Sequence, residues 1–289
     1  MTLLELIQQQ SARLTQAGVS FVHGTDNAFD EAVWLALWRL GLPLDDLDGV
    51  AARELAMHEV AAIETLVGER IAVRKPAAYL TREAWLQGVP FTVDERVIVP
   101  RSLIAELIED GTLDAWLSDR TRFVLDLCTG SGSLAVLAAL AWPEVQVDAA
   151  DLSPDALAVA RLNVERHGLS DRIALHQGDG LAAVAGRRYD LILCNPPYVD
   201  RDAMTALPAE YRAEPALALM GGDDGMDFIR PLMAQAAPSL ADGGVLVLEI
   251  GHEAAHFEAA FPRLEFAYLP TRTTEDQVVL ITREALACH

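Results

Sequence analysis

Apolar positions along the chain change their spacing near residue 80. Before that point they recur at helical intervals. Leu3, Leu4, Leu6, Ile7 and Leu14 predict an amphipathic first helix. Val33, Trp34, Leu37 and Trp38 stripe a second over Asp30 to Leu40, which Gly41 and Pro43 should end. Leu55 to Val67 predicts a third, with Gly68 as its stop. Trp85 to Pro90 followed by Phe91-Thr92-Val93 reads as a hairpin or extended linker, and Ser102 is placed to cap a helix over Leu103 to Glu109. From Thr121 onward, short apolar runs alternate with helical stretches. Strands are expected at Phe123 to Leu127, Val145 to Asp151, Ile173 to His176, Tyr189 to Cys194 and Gly244 to Ile250. Helices are expected at Leu134 to Ala141, from Ser153 and Pro154 to His167, at Met226 to Leu240 and near Ala254 to Phe261. Two closing strands, Phe266 to Leu269 and Gln277 to Ile281, have no helix between them, so one should run antiparallel. The alternation predicts an α/β fold with a parallel, doubly wound sheet behind an all-helical unit.

The resulting organisation is a helical substrate-facing domain over 1–83, a hairpin or linker with a connecting helix over 84–110, and an α/β domain over 111–289. No apolar stretch reaches the eighteen or so residues of a membrane helix, and Met1 to Gln10 lacks the basic start of a signal peptide. Cys128, Cys194 and Cys288 are odd in number and far apart, so they suggest neither a disulfide framework nor a metal site. A cytoplasmic location is expected. The net charge of −21 argues against direct nucleic-acid binding, which needs a basic footprint, and suits electrostatic attraction of a basic protein.

Candidate chemistry centres on Asn195-Pro196-Pro197-Tyr198, at the predicted C-terminal end of a buried strand. Open α/β sheets bind ligands at such ends. Each proline fixes φ and offers a carbonyl without an N–H; Asn195 adds a carbonyl acceptor and two amide donors. This stiff, acceptor-rich corner with an aromatic face suits a planar NH2 group. Upstream, Asp126 precedes the turn Thr129-Gly130-Ser131-Gly132, and Asp151 ends the next strand, where a carboxylate can accept both hydroxyls of a ribose. Gly130 to Ala135 also fits the loose dinucleotide fingerprint, so nicotinamide cofactors and S-adenosylmethionine both remain open. Asp126 favours the latter, because it can meet a cationic amino group where a pyrophosphate is repelled. Gly178-Asp179-Gly180 is placed to edge an adenine. Arg101, in a loop beside an apolar segment, is a candidate for contact with substrate or cofactor, or for a surface ion pair. His252-Glu253-Ala254-Ala255-His256 matches a zinc-protease pattern, but His252 follows a strand end rather than lying within a helix, so no metal is expected.

Asp126-Leu127-Cys128-Thr129-Gly130-Ser131-Gly132 together with Asn195-Pro196-Pro197-Tyr198 resembles the glutamine N5-methyltransferases of translation proteins. His23 to Ala32, Pro76 to Thr81, Val93 to Ser102 and Ile104 to Ile108 are similar to the branch acting on large-subunit ribosomal protein L-three. The resemblance covers nearly the whole chain. Asn-Pro-Pro-Tyr alone is shared with adenine-N6 methyltransferases, and the release-factor branch carries proline and an acidic residue after Pro-Arg, where this chain has Ser102. Leu103, Cys128-Thr129, Ser133-Leu134 and Gly180 depart from the family pattern; Gly180 stands where the release-factor branch has an aromatic against the adenine. The resemblance implies a Rossmann-like seven-stranded methyltransferase sheet with an antiparallel last strand. It also implies methyl transfer from S-adenosyl-L-methionine to a glutamine amide of protein L-three, free or in a ribosome precursor. Asp126, Cys128, Thr129, Gly130, Ser131, Gly132, Asp151, Asp179, Gly180 and Asn195 are the expected cofactor site. Asn195, Pro196, Pro197, Tyr198 and Arg101 are the expected substrate and catalytic set.

Overall fold

A computed structural model describes every residue except Val22 and His289. Helix α1 (Leu3–Gln16) starts at a capping box in which Thr2 and Glu5 satisfy each other's backbone N–H. Helix α2 (Ala28–Leu40) is capped by Asn27 and ends at Gly41 in the left-handed region. A single turn, α3 (Leu47–Val50), leads to α4 (Met57–Val73). The apolar stripes of α1, α2 and α4 close a core of their own around Leu6, Leu14, Leu35, Ile63 and Val67. Gly68 does not stop α4, where the sequence placed its end; the helix runs on to Val73. An interior glycine costs only about 1 kcal/mol, and the extra turn carries Arg70 into a fully buried position between Glu31 and Glu210.

Helix α5 (Ala77–Thr81) enters the hairpin β1 (Glu83–Leu86) and β2 (Val89–Thr92). Ala84 and Phe91 of this hairpin belong to the core of the large sheet. Helix α6 (Ile104–Glu109) follows. Ser102 stands one residue before the N-cap, which is Leu103: its hydroxyl donates to Glu249, 2.6 Å away, and accepts from the Ile104 N–H at 3.3 Å. Then come β3 (Phe123–Leu127), α7 (Ser133–Ala141), β4 (Gln146–Asp151), α8 (Pro154–Arg166), β5 (Ile173–Gln177) and β6 (Tyr189–Cys194). After β6 an insert holds α9 (Arg201–Ala206) and two short helical turns, Ala209–Ala213 and Ala216–Ala218. The chain closes with α10 (Ile229–Ser239), β7 (Leu240–Glu249), α11 (Ala254–Ala260), β8 (Ala267–Tyr268), β9 (Val278–Thr282) and α12 (Arg283–Cys288).

The seven-stranded sheet runs β5-β4-β3-β6-β7-β9-β8. Strands β3 to β7 are parallel neighbours, while β9 is antiparallel to both β7 and β8. One strand of the closing pair is thus reversed, as its missing crossover helix implied. Strand order turns back between β3 and β6, which pair at Leu127 and Cys194. Their C-terminal ends therefore form the topological switch point, where such sheets bind ligands.

The insert after β6 is gripped by the N-terminal helices. Glu210 accepts from the Ser20 N–H and from both Arg70 and Arg74. Glu214 takes a two-pronged pair from Arg101, at 2.6 and 2.8 Å, and lies 3.4 Å from His23 Nε2. Burial raises both carboxyls, but the neighbours outweigh it. Arg74, the Ser20 N–H and Arg70 hold Glu210 at about 2, and His23 with Arg101 hold Glu214 at about 2. A folded value below the unfolded one contributes stability that is complete above the ordinary glutamate range and is lost as pH falls toward 2. Urea midpoints are expected to drop steeply from pH 4.5 downward in the wild type, and less steeply in Glu210→Gln and Glu214→Gln. Equal slopes in all three proteins would remove these carboxylates from the account.

Candidate active site

Three chain segments meet at the switch point. The loop after β3 is built around Asp126, whose Oδ2 accepts from Thr129 Oγ1 at 2.5 Å and from the Ala135 N–H at 2.9 Å. Burial pushes this carboxyl up to about 7 against those two hydrogen bonds. The loop then turns through Gly130 and Gly132, both at positive φ. A Cβ on Gly132 would lie 3.2 Å from that of Ala160, so glycine lets α7 start close against α8. The Ser131 carbonyl accepts from Asn163 of α8, which also pins the hairpin through Thr92. Asp151 closes the loop from the end of β4. Its Oδ2 accepts from the Gly130 N–H and its Oδ1 from the Ser153 N–H, and burial raises its carboxyl. Each of its oxygens keeps a second lone pair, so two hydroxyl donors can still be accommodated.

These segments wall a pocket lined by Cys128, Gly130, Asp151, Asp179, Gly180, Asn195 and Pro197, all singled out in the sequence. Asp126, Thr129, Ser131, Gly132, Pro196, Tyr198 and Arg101 lie outside that wall. Asp126, Thr129, Ser131 and Gly132 form the base of the loop. Arg101 is neither a loose surface residue nor part of the wall: both arms of its fork are committed to the fully buried Glu214, and its guanidinium stands 5.4 Å from the Tyr211 ring centre.

Of the Asn195–Tyr198 corner, Asn195 and Pro197 line the pocket, and Pro196 and Tyr198 lie outside its wall. Among the described residues the Asn195 side chain makes no hydrogen bond and no donor reaches the Pro196 carbonyl. Tyr198 is anchored from below: its hydroxyl donates to Glu249 Oε1 at 3.1 Å, and its ring lies against Gly251. A Cβ on Gly251 would sit 2.3 Å from Tyr198 Cε2, so only glycine leaves room for the ring. Burial and the Glu249 carboxylate push the Tyr198 hydroxyl well above the ordinary phenol range, keeping it a neutral donor.

Sequence reasoning missed two groups here. Glu249 accepts from Tyr198, the Ser102 hydroxyl and the Leu103 N–H, tying the corner to the Pro100–Leu103 segment. A carboxylate ending the apolar run Val245 to Leu248 was the available signal. Phe228 lines the pocket, 3.9 Å from where a Cβ of Gly180 would lie; it is distant in sequence from every motif, so nothing pointed to it. Across the molecule, no group of three or more possible metal ligands occurs among the described residues. His252 precedes α11 and contacts Gln277, while His256 on α11 pairs with Glu253, so the two histidines do not share a helix face.

Sheet order, glycine loop and strand-end carboxylate define a Rossmann-like methyltransferase. Residues 110–211 match a family described as the methyltransferase small domain. Among solved structures, the hMettl16 catalytic domain bound to a 3′UTR hairpin superposes with a TM-score of 0.52 at 16% identity, over 82% of this chain and 85% of that one. At that identity the likeness concerns the fold alone. Ribosomal protein uL3 glutamine methyltransferase from Bordetella pertussis is 53% identical, over 99% of this chain and 96% of its own length. The enzymes of that name from Burkholderia pseudomallei and Neisseria gonorrhoeae are 51% and 46% identical, over 97% and 99% of this chain and 94% and 95% of their own lengths. The chain belongs to the ribosomal protein uL3 glutamine methyltransferases.

Proposed function

We propose that this enzyme methylates the side-chain nitrogen of a glutamine in ribosomal protein uL3, with S-adenosylmethionine as donor. The observation that carries the chemistry is the pair of unengaged acceptors, the Asn195 side chain in the wall of a pocket suited to a nucleoside and the carbonyl of Pro196, its neighbour in the chain. The near full-length relatives support the substrate.

The pocket residues fit the cofactor. Asp151 retains acceptor capacity for a ribose diol, Phe228 supplies an aromatic face beside Gly180 for the adenine, and the Gly130 turn keeps side chains away from the methionine part. When bound, the cofactor supplies an electrophilic methyl carbon on a sulfonium. The chain's own residues act on the nucleophile. An amide nitrogen is unreactive because its lone pair is delocalised into the carbonyl. Asn195 and Pro196 accept its two hydrogens, which turns the lone pair toward the methyl and enriches it. This is catalysis by positioning and electrostatic stabilisation, with no protein base needed before attack. The surplus proton leaves to water afterwards. Tyr198, fixed by Glu249 and Gly251, supplies an aromatic wall for the amide plane and the nearby cation. Arg101 acts through Glu214, holding the insert against the Pro100 segment. Residues 1–83 form the substrate-recognition domain, 84–110 the connection, and 111–289 the catalytic domain.

Asp151→Asn is expected to weaken S-adenosylmethionine binding about tenfold, since it replaces one acceptor of a charge-assisted pair. Calorimetry on the purified variant measures this, and an unchanged affinity moves the ribose contact elsewhere. The substrate assignment is tested by offering uL3 and a peptide chain release factor side by side with labelled cofactor. Label on uL3 alone is expected; label on the release factor alone would reject the branch and leave the amide chemistry standing.

A further inference from the structure

A second cavity lies apart from the cofactor pocket, on the N-terminal helices and the hairpin. It has a volume of about 970 Å³, and its wall includes Trp34, Trp38, Trp85, Asp30, Asp45 and Glu83. No Lys or Arg is among its lining residues. Glu83 is neutralised by Arg166 at 2.6 Å, but Asp30 and Asp45 form no ion pair among the described residues. Trp85 is 45% exposed, and Trp34 Nε1 is a buried donor without an acceptor.

We propose that this groove binds an arginine- and lysine-bearing segment of the protein substrate, remote from the methylated glutamine. The inference rests on the functional reading above and specifies how the substrate is held. Charge complementarity selects the occupant. Guanidinium and ammonium groups stack on indole faces and gain further from unpaired carboxylates beside them. Tryptophan surfaces of this kind carry a disproportionate share of binding energy. A polyanion is repelled by the same carboxylates.

The groove is joined to the active site by the chain itself. Gly24 and Thr25 line it, and their neighbour His23 lies 3.4 Å from Glu214 and packs at a tilt against Tyr211, 4.5 Å between ring centres. Glu214 in turn holds Arg101. Occupation of the groove and placement of the insert beside Asn195–Tyr198 therefore share one stretch of backbone.

The test uses the full chain with S-adenosylmethionine bound. Intrinsic tryptophan fluorescence is titrated with an alternating Arg-Gly peptide, a Gly-Ser peptide of equal length and an RNA oligomer. A saturable change with the Arg-Gly peptide alone is expected, and its loss in Asp30→Asn/Asp45→Asn. With uL3 as substrate, the double variant is expected to raise KM about tenfold and to leave kcat within about twofold. Trp85→Ala, at an exposed position, is expected to act in the same sense. Thermal unfolding reports whether each variant is folded. An unchanged KM in both variants, or an equal fluorescence response to the Gly-Ser peptide or the RNA, overturns the proposal. Should the wild-type enzyme leave uL3 unmodified, the functional reading fails, while the peptide titration still decides whether the groove takes cationic side chains.

Discussion

Asn195→Ala is expected to lower turnover of uL3 by about a hundredfold or more, while cofactor affinity changes only a few-fold. On the proposed mechanism the variant removes one of the two acceptors that orient the amide, and it breaks no hydrogen bond within the protein, since the Asn195 side chain makes none among the described residues. The loss should fall on kcat, because the contact strengthens as the amide nitrogen gives up its lone pair. Asn195→Asp separates geometry from charge: it keeps the acceptor oxygen but loses the amide group. Near wild-type turnover in Asn195→Ala would mean that the corner does not orient the nucleophile.

Arg70→Met is expected to destabilise the protein by about 3–5 kcal/mol. Arg70 is fully buried and donates to Glu31, Glu210 and the Ser20 carbonyl. Its removal leaves Glu31, itself nearly fully buried, without a cationic partner; Glu210 retains Arg74. Burial already raises the Glu31 carboxyl even with Arg70 beside it, so the residue should take up a proton once the guanidinium is gone. The loss is therefore expected to shrink at low pH. Denaturant unfolding of wild type and variant at pH 5 and pH 7 measures both effects, and a loss under about 1 kcal/mol would show that Arg74 alone carries the contact.

Most of the fold was legible because it follows from short-range patterning. Strand-length apolar runs separated by helical stretches require crossovers, and the absence of a helix between the last two strands required one reversal. That Gly130, Asp151, Asp179 and Asn195 come to line one pocket was legible for a related reason: all fall at or just after strand ends, and one sheet brings those ends together. What escaped was long-range. Glu249 and Ser102 are 147 residues apart, and Glu210 and Arg70 are 140 apart. Pairs that distant leave no periodic trace. Arg101 could be read as an ion pair, but its partner could not, because Glu214 lies in an insert with no regular pattern. Gly68 misled because a glycine's helix-breaking cost is small beside what the buried Arg70 gains from one more turn. Phe228 illustrates the same limit within the site: the aromatic beside Gly180 comes from the start of a distant helix rather than from the Gly178–Gly180 turn.

The insert between Val199 and Gly221 joins the N-terminal helices to the Asn195–Tyr198 corner. It returns to the corner through Val199, which pairs with Leu219 and Gly221 by two hydrogen bonds of 2.8 Å. Glu210 and Glu214 fasten its middle to the N-terminal helices and to the Pro100 segment.

The most direct test of the account is tandem mass spectrometry of uL3 after incubation with wild-type enzyme or Asn195→Ala and S-adenosylmethionine. The account predicts a single added methyl on a glutamine side-chain nitrogen with wild type, and its near absence with the variant at equal cofactor occupancy. A methyl on any other residue type, or equal modification by both proteins, would contradict it.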